Sequence, residues 1–221
     1  MSIPVKIDFV SDVVCPWCAI GLSALEQAIR NVGSELQIEL AFQPFELNPQ
    51  LAAEGEDVGE HLARKYGIDE AQIRQNEEAI RQRGEALGFS FDMTRRRRIF
   101  NTFDAHRLLH WAELQGQAQQ RALKHALLRA YFSEGRDVSD REVLVAVAAS
   151  TGLDGEVARQ VLESGDYADD VRAQEALYRE RGIQAVPSVV FNDRHLIQGG
   201  QPVETFEAAL RQLSGLTATP A

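Results

Sequence analysis

The chain has two cysteines, and only two residues stand between them: Cys15-Pro16-Trp17-Cys18. A thiol pair at this spacing supports thiol–disulfide exchange, in which one thiolate attacks a disulfide and the second thiol resolves the mixed disulfide. The rival chemistry is a zinc site. That needs a second cysteine pair or suitably spaced histidines, and the five histidines do not supply the spacing, so no metal is expected. Two inert, buried cysteines would leave the Pro-Trp spacer unexplained.

The pair sits between two readable elements. Val5 to Val10 alternates apolar and polar residues and reads as a strand. Leu22, Leu25, Ile29 and Val32 then share one helical stripe that stops at Gly33. At a helix start the free backbone N–H groups and the helix dipole stabilise a thiolate on the first sulfur. Cys15 is therefore expected to be the exposed attacking thiol and Cys18 the less exposed resolving one. Pro16 suits the first helical position, where its missing N–H is not needed. Trp17 is too large to hide in the spacer and is expected on the docking surface.

The remaining elements must bring a partner to this pair. Gln37 to Phe45 alternates again, so strand, helix and strand form a βαβ unit with parallel strands. A long helical region follows from Asn48. Its expected helices are Asp57 to Tyr66, one opened by an Asp69/Gln72 capping box, Asn101 to Leu114, and one through Ala118 to Ala130. Ser139 with Glu142 reads as the next capping box, and Asp154 and Asp166 as two further caps. The β pattern returns at Ser188–Phe191, with a turn at Asn192–Arg194 and a hairpin partner at His195–Gln198. Pro202 opens a last helix, and the tail from Ser214 is expected to fray. The fold class is α/β. One sheet is built from both ends of the chain, residues 1–48 and 182–216, around a helical insertion at 49–181.

Pro187, at the start of the Ser188 strand, cannot donate to a sheet ladder. A cis Val186–Pro187 bond facing the cysteines and an edge-strand proline both account for it.

Charge and hydropathy limit the function classes. The net charge is -10, which argues against a general nucleic-acid binder. No run is long enough to span a bilayer, and the N-terminal residues carry no apolar signal core. The expected location is the cytoplasm, where a lone cysteine pair is catalytic more often than structural.

These residues resemble a known family. Cys15-Pro16-Trp17-Cys18 after an Asp-Phe-Val strand, Asn101-Thr102-Phe103-Asp104-Ala105-His106-Arg107-Leu108, Val186-Pro187-Ser188 and Gln198-Gly199-Gly200-Gln201-Pro202 look like the DsbA-like thioredoxin superfamily. Within it they are most similar to the FrnE-like cytoplasmic disulfide oxidoreductases. The resemblance implies a thioredoxin fold with a helical insertion. It implies a cis Pro187 opposite Cys15, and a partner held in extended form by Val186 and Pro187. It also implies protein thiols and disulfides as partners, with no cofactor beyond the redox-active disulfide. A sister branch, the 2-hydroxychromene-2-carboxylate isomerases and kappa-class glutathione transferases, shares the Asn-containing helix and the Val-Pro loop. It uses glutathione and places serine where this chain has Cys15. Glutathione therefore stays open as a co-substrate, and a glutathione-dependent isomerase or transferase acting on an aromatic small molecule is the alternative function.

The resemblance also bears on single residues. Thioredoxin-like enzymes often place a buried acid near the resolving sulfur, which makes Asp8 a candidate proton shuttle; strand alternation also permits it to face solvent. Asn101 and His106 are candidates for a second or glutathione-binding pocket. His106 and His110 share a helix face at metal-binding spacing without a third ligand, so a packed or surface pair is expected. Arg95 to Arg98 reads as a solvated face, with an anion site as the sharper alternative.

Overall fold

Val5, Ile7 and Phe9 alternate with their neighbours along the first strand, β1 (Ile3–Ser11), and all three are fully buried. A period of two places them on one covered sheet face. The computed structural model describes residues 2–52 and 54–215; most of the tail expected to fray lies outside them. After β1 come α1 (Pro16–Val32), β2 (Leu36–Pro44), β3 (Glu56–Asp57), α2 (Val58–Tyr66), α3 (Glu70–Ala86) and β4 (Arg98–Ile99). The chain continues through α4 (Phe103–Gln115), α5 (Gln117–Phe132), α6 (Arg141–Ser150), α7 (Gly155–Ser164) and α8 (Ala168–Glu180). It closes with β5 (Ser188–Phe191), β6 (His195–Gln198) and α9 (Val203–Leu213).

The main sheet has the order β2-β1-β5-β6. β1 and β2 run parallel, β5 is antiparallel to β1, and β6 is antiparallel to β5. Both ends of the chain thus build one sheet, with α2 to α8 between them in sequence. The fold class is α/β with a thioredoxin-like sheet. The helical region shares its core: Phe9, Leu22 and Phe191 belong to one apolar cluster with Leu108, Leu127 and Leu144. A side-chain clamp adds to this. Gln120 of α5 accepts from the Phe42 amide at 2.9 Å and donates to the Phe42 carbonyl at 3.0 Å. It thereby satisfies an edge of β2 that would otherwise be buried without partners.

Several local expectations are corrected. β3 and β4 form a two-residue ladder, too short to leave a periodicity in the sequence. α6 is capped by Asp140, whose carboxylate accepts from the amides of Glu142 and Val143; Ser139 instead donates to Asp137. α8 opens at Tyr167, held at φ 61, and the Asp166 carbonyl accepts from Arg107. The Asp69/Gln72 capping box and the Asp154 cap are present as read. The arginine run is no uniform solvated face. Arg95 pairs with Asp92, and Arg98 donates to the Glu54 and Gly55 carbonyls. Arg96 is buried, bonds the Tyr131 hydroxyl and lies over the Tyr131 and Phe132 rings.

Candidate active site

Cys15 is the N-cap residue of α1, and Pro16 is its first helical residue. The Cys15 carbonyl accepts from the amides of Cys18 at 3.0 Å and Ala19 at 3.4 Å, which closes the first turn. Residues three apart in a helix face the same way, so the two thiols are neighbours on one face of the first turn. Both are free.

The expected exposure of Cys15 is corrected. It is 3 % exposed and Cys18 0 %. Cys15 lies in the wall of a 930 Å³ cavity together with Pro16, Trp17, Phe45, Glu46, Ile80 and Arg96. Segments after β2 and from α2 and α3 rise around the start of α1 and cover it. Cys18 is absent from that wall. Access thus distinguishes the two sulfurs, though the first one is reached through a cavity.

The far end of the chain meets this site. The Cys15 thiol donates to the Val186 carbonyl at 3.6 Å, and the Val186–Pro187 peptide bond is cis. Gln184, Ala185 and Val186 line the cavity. Pro187 packs on α1 at Gly21, where an added Cβ would come within 3.0 Å of the proline Cγ. A Cβ at Gly200 would come 3.1 Å from the Trp17 carbonyl oxygen. These two glycines admit the close approach of loop and helix; in sequence Gly200 stands in the Gln198–Pro202 segment of the family resemblance, and Gly21 carries no signal. Trp17 is 36 % exposed, with the Arg83 guanidinium 5.2 Å from its ring.

Behind the sulfurs lies a buried polar cluster. Burial pushes the Cys18 thiol well above its ordinary value, and the adjoining Cys15 adds to this; Lys124 and a backbone hydrogen bond from Asp12 oppose it. Lys124 of α5 is 1 % exposed, and burial lowers its pKa against the pull of Cys18, Asp12 and Cys15. Asp12 is fully buried. Burial disfavours its charge, but His106, the Leu47 amide and Thr102 together hold it below the usual carboxylate range. Its Oδ1 lies 3.5 Å from His106 Nε2. Glu46 is pushed up to about 7, first by burial and then by the nearby charge of Glu175.

The other candidates fall elsewhere. Asp8 is 2 % exposed and accepts from Gln43 at 2.9 Å. It lines a separate 340 Å³ cavity with Lys6, Glu39 and Tyr178, so the expected shuttle role at Cys18 does not fit its position. Asp8 sits within β1, paired with Ala41 and Val190, and opens into that other cavity, whereas Asp12 lies in the turn that carries the cysteines. Asn101 holds the first turn of α4 by accepting from the Phe103 amide at 2.9 Å. Neither it nor His106 contributes to the cavity wall; His106 lies behind it against Asp12. His110 packs 5.3 Å from the Tyr167 ring. Sequence reading missed Asp12, Glu46 and Lys124. Asp12 lies three residues before Cys15, whereas Lys124 sits in an ordinary helical pattern.

Among the described residues, no helix is long and apolar enough to cross a membrane. Comparison with known proteins agrees with the geometry. Residues 6–211 match the DSBA-like thioredoxin domain. The chain is similar to a probable DsbA oxidoreductase from Streptomyces coelicolor, with 34% identity, a TM-score of 0.89, and coverage of 98% of this chain and 93% of that one. It is 28% identical over 211 residues to the uncharacterized protein YwbO of Bacillus subtilis, covering 95% of this chain and 96% of that protein. A 2-hydroxychromene-2-carboxylate isomerase shares the fold alone, at 16% identity and a TM-score of 0.70, with coverage of 96% of this chain and 100% of that one. A matched family domain spanning the sheet, the helical region and both cysteines identifies this chain as a member of the DSBA-like thioredoxin domain family.

Proposed function

We propose that this chain is a thiol–disulfide oxidoreductase that acts on protein disulfides through Cys15 and Cys18. The observation that carries the reading is the asymmetry of the pair. Cys15 lines a cavity beside the Gln184–Val186 segment, whose Val186 carbonyl it bonds, while Cys18 lies outside the cavity wall. In the reductive direction the Cys15 thiolate attacks one sulfur of a partner disulfide, and the other partner sulfur leaves as a thiolate. Cys18 then attacks Cys15, releasing the second partner sulfur and leaving the Cys15–Cys18 disulfide. The partner gains two electrons and the chain loses two; oxidation of a partner dithiol is the reverse.

An extended polypeptide laid along Gln184–Val186 would place a cysteine over Cys15 and its flanking side chains against Trp17 and the apolar wall, in the manner of strand addition. Glutathione is a smaller occupant of the same groove.

The test is turnover of a protein disulfide, followed as reduction of insulin by a dithiol donor. Activity in the wild-type chain and its loss in Cys15→Ala support the proposal. No protein disulfide reduction, combined with glutathione-dependent turnover of a chromene carboxylate that survives Cys18→Ala, would assign the site to isomerase chemistry instead.

A further inference from the structure

Of the arginine run at 95–98, only Arg96 is buried, and it contributes to the wall of the 930 Å³ cavity that holds Cys15. Its Nε donates to the Tyr131 hydroxyl at 3.2 Å, and that hydroxyl donates to the Arg98 carbonyl at 2.9 Å. The guanidinium carbon lies 5.6 Å from the Tyr131 ring centroid and 5.5 Å from that of Phe132, and both rings belong to the core. Rings attract the charge, but they are no match for the planar fork of N–H donors that suits a carboxylate. Arg95 has Asp92 for that purpose; Arg96 pairs with no carboxylate among the described residues. Its Nη atoms are not sealed in the interior, so they open on the cavity. A guanidinium this deep without a counter-charge is costly, and the cost calls for a partner.

The rest of the wall has the same sign. Lys65 lies in it and donates to neutral groups, the Leu47 carbonyl and Asn48 Oδ1. His61 and Arg179 are each matched, by Glu56 and Glu175. The wall has two carboxyls of its own: Glu46 is held protonated up to about 7, and burial raises Glu77 against the pull of Arg96. In a chain of net charge -10, the cavity beside Cys15 thus carries two unmatched cations.

We propose that Arg96 is the anchor of a carboxylate subsite: a carboxylate carried by the molecule whose sulfur joins Cys15 seats on the Arg96 fork, so that the cavity selects acidic thiol partners. The proposal rests on the dithiol reading above and names its substrate class. Nε is spent on Tyr131, so the two carboxylate oxygens meet the two Nη atoms end-on, as a pair of charge-assisted hydrogen bonds. Tyr131 and Phe132 already hold the fork in place, so little side-chain freedom is lost when it pairs. The carboxylate belongs to a small thiol acid or to an acidic side chain close to a partner's cysteine; the recognition chemistry is the same.

The test uses the reduced chain and the 2-pyridyl disulfides of ω-mercapto acids of increasing chain length, each matched with its amide. The Cys15 thiolate bonds to the alkyl sulfur of the probe, the probe's S–S bond breaks, and pyridine-2-thiolate leaves with the electron pair; its release is followed by absorbance. Each rate is divided by that of the same probe with a free small thiol. In the wild-type chain the acid is expected to outrun its amide about 10-fold at the length that spans Cys15 and Arg96. Arg96→Met should bring the two rates together, whereas a purely structural arginine would slow both alike and leave their ratio. If that variant does not fold, Arg96→Lys, which keeps the charge and loses the fork, should still lower the ratio. Peptides whose activated cysteine stands beside Glu or Gln form the second arm. A preference for Glu there assigns the carboxylate to a polypeptide, and a preference confined to the small acids assigns it to a low-mass thiol. Equal rates for acid and neutral probes in both arms, or a ratio that the Arg96 variants leave unchanged, overturn the proposal. Release from no probe at all overturns the dithiol reading, and this proposal with it.

Discussion

Glu46 should make the folded chain less stable as pH rises, and Glu46→Gln should remove that dependence. The residue is 4 % exposed, and burial with the charge of Glu175 raises its pKa from 4.5 to about 7. In the unfolded chain it releases its proton near 4.5; in the folded chain it holds it to about 7. Between these values the folded state binds more protons, so stability falls as pH rises. Above about 7 the full cost is present. At about 1.4 kcal/mol per pH unit between the two values, it amounts to about 3 kcal/mol. The glutamine variant carries no such charge. Denaturant unfolding should therefore find Glu46→Gln more stable than wild type by up to about 3 kcal/mol at mildly alkaline pH, with the two alike below 4.5. A gain that is independent of pH, or a loss at alkaline pH, would refute the reasoning.

Two further substitutions test the framework around the site. Gly21→Ala places a methyl group 3.0 Å from Pro187 Cγ. Helix propensity gains about 1 kcal/mol and overpacking costs about 1–3 kcal/mol, so thermal melting should show a net loss, and disulfide exchange should slow as the Val186 carbonyl is displaced. Gln120→Leu leaves the Phe42 amide and carbonyl unpaired in the interior; denaturant unfolding should find a loss of about 2–4 kcal/mol.

The elements nearest the sheet were the most legible in sequence. The period-two runs of β1 and β2 and the hairpin of β5 and β6 state their type; their burial is less legible, since the second halves of β1 and β2 are covered on both faces, Asp8 and Gln43 included. The two-residue strands β3 and β4 could not be read, because they owe their existence to pairing between residues more than forty apart in sequence. Caps were readable where the acid directly preceded the helix, as at Asp69 and Asp154. They were misread at Ser139 and Asp166, where a neighbouring residue took the geometry. Of the site, Cys15, Cys18 and Pro187 announced themselves through residue type and spacing. The depth of Cys15 did not, because it depends on walls contributed by distant segments. Lys124 was hidden for the same reason: one lysine in a helix is ordinarily solvated, and only the packing of α5 against the sheet and α4 buries it. Asp8 was singled out over Asp12 although both are buried acids near the cysteines in sequence. Only the structure shows that Asp8 opens into a separate cavity, while Asp12 lies in the cysteine turn against His106 and the Leu47 amide.

The central claim is that Cys15 forms the bond to a partner and Cys18 breaks it. The most direct measurement incubates Cys18→Ala with a disulfide-containing protein and maps the cross-linked product by mass spectrometry. The account predicts a persistent mixed disulfide on Cys15, sensitive to reductant, which the wild-type chain does not accumulate. Absence of any Cys15 adduct, or equal accumulation in the wild-type chain, would contradict it.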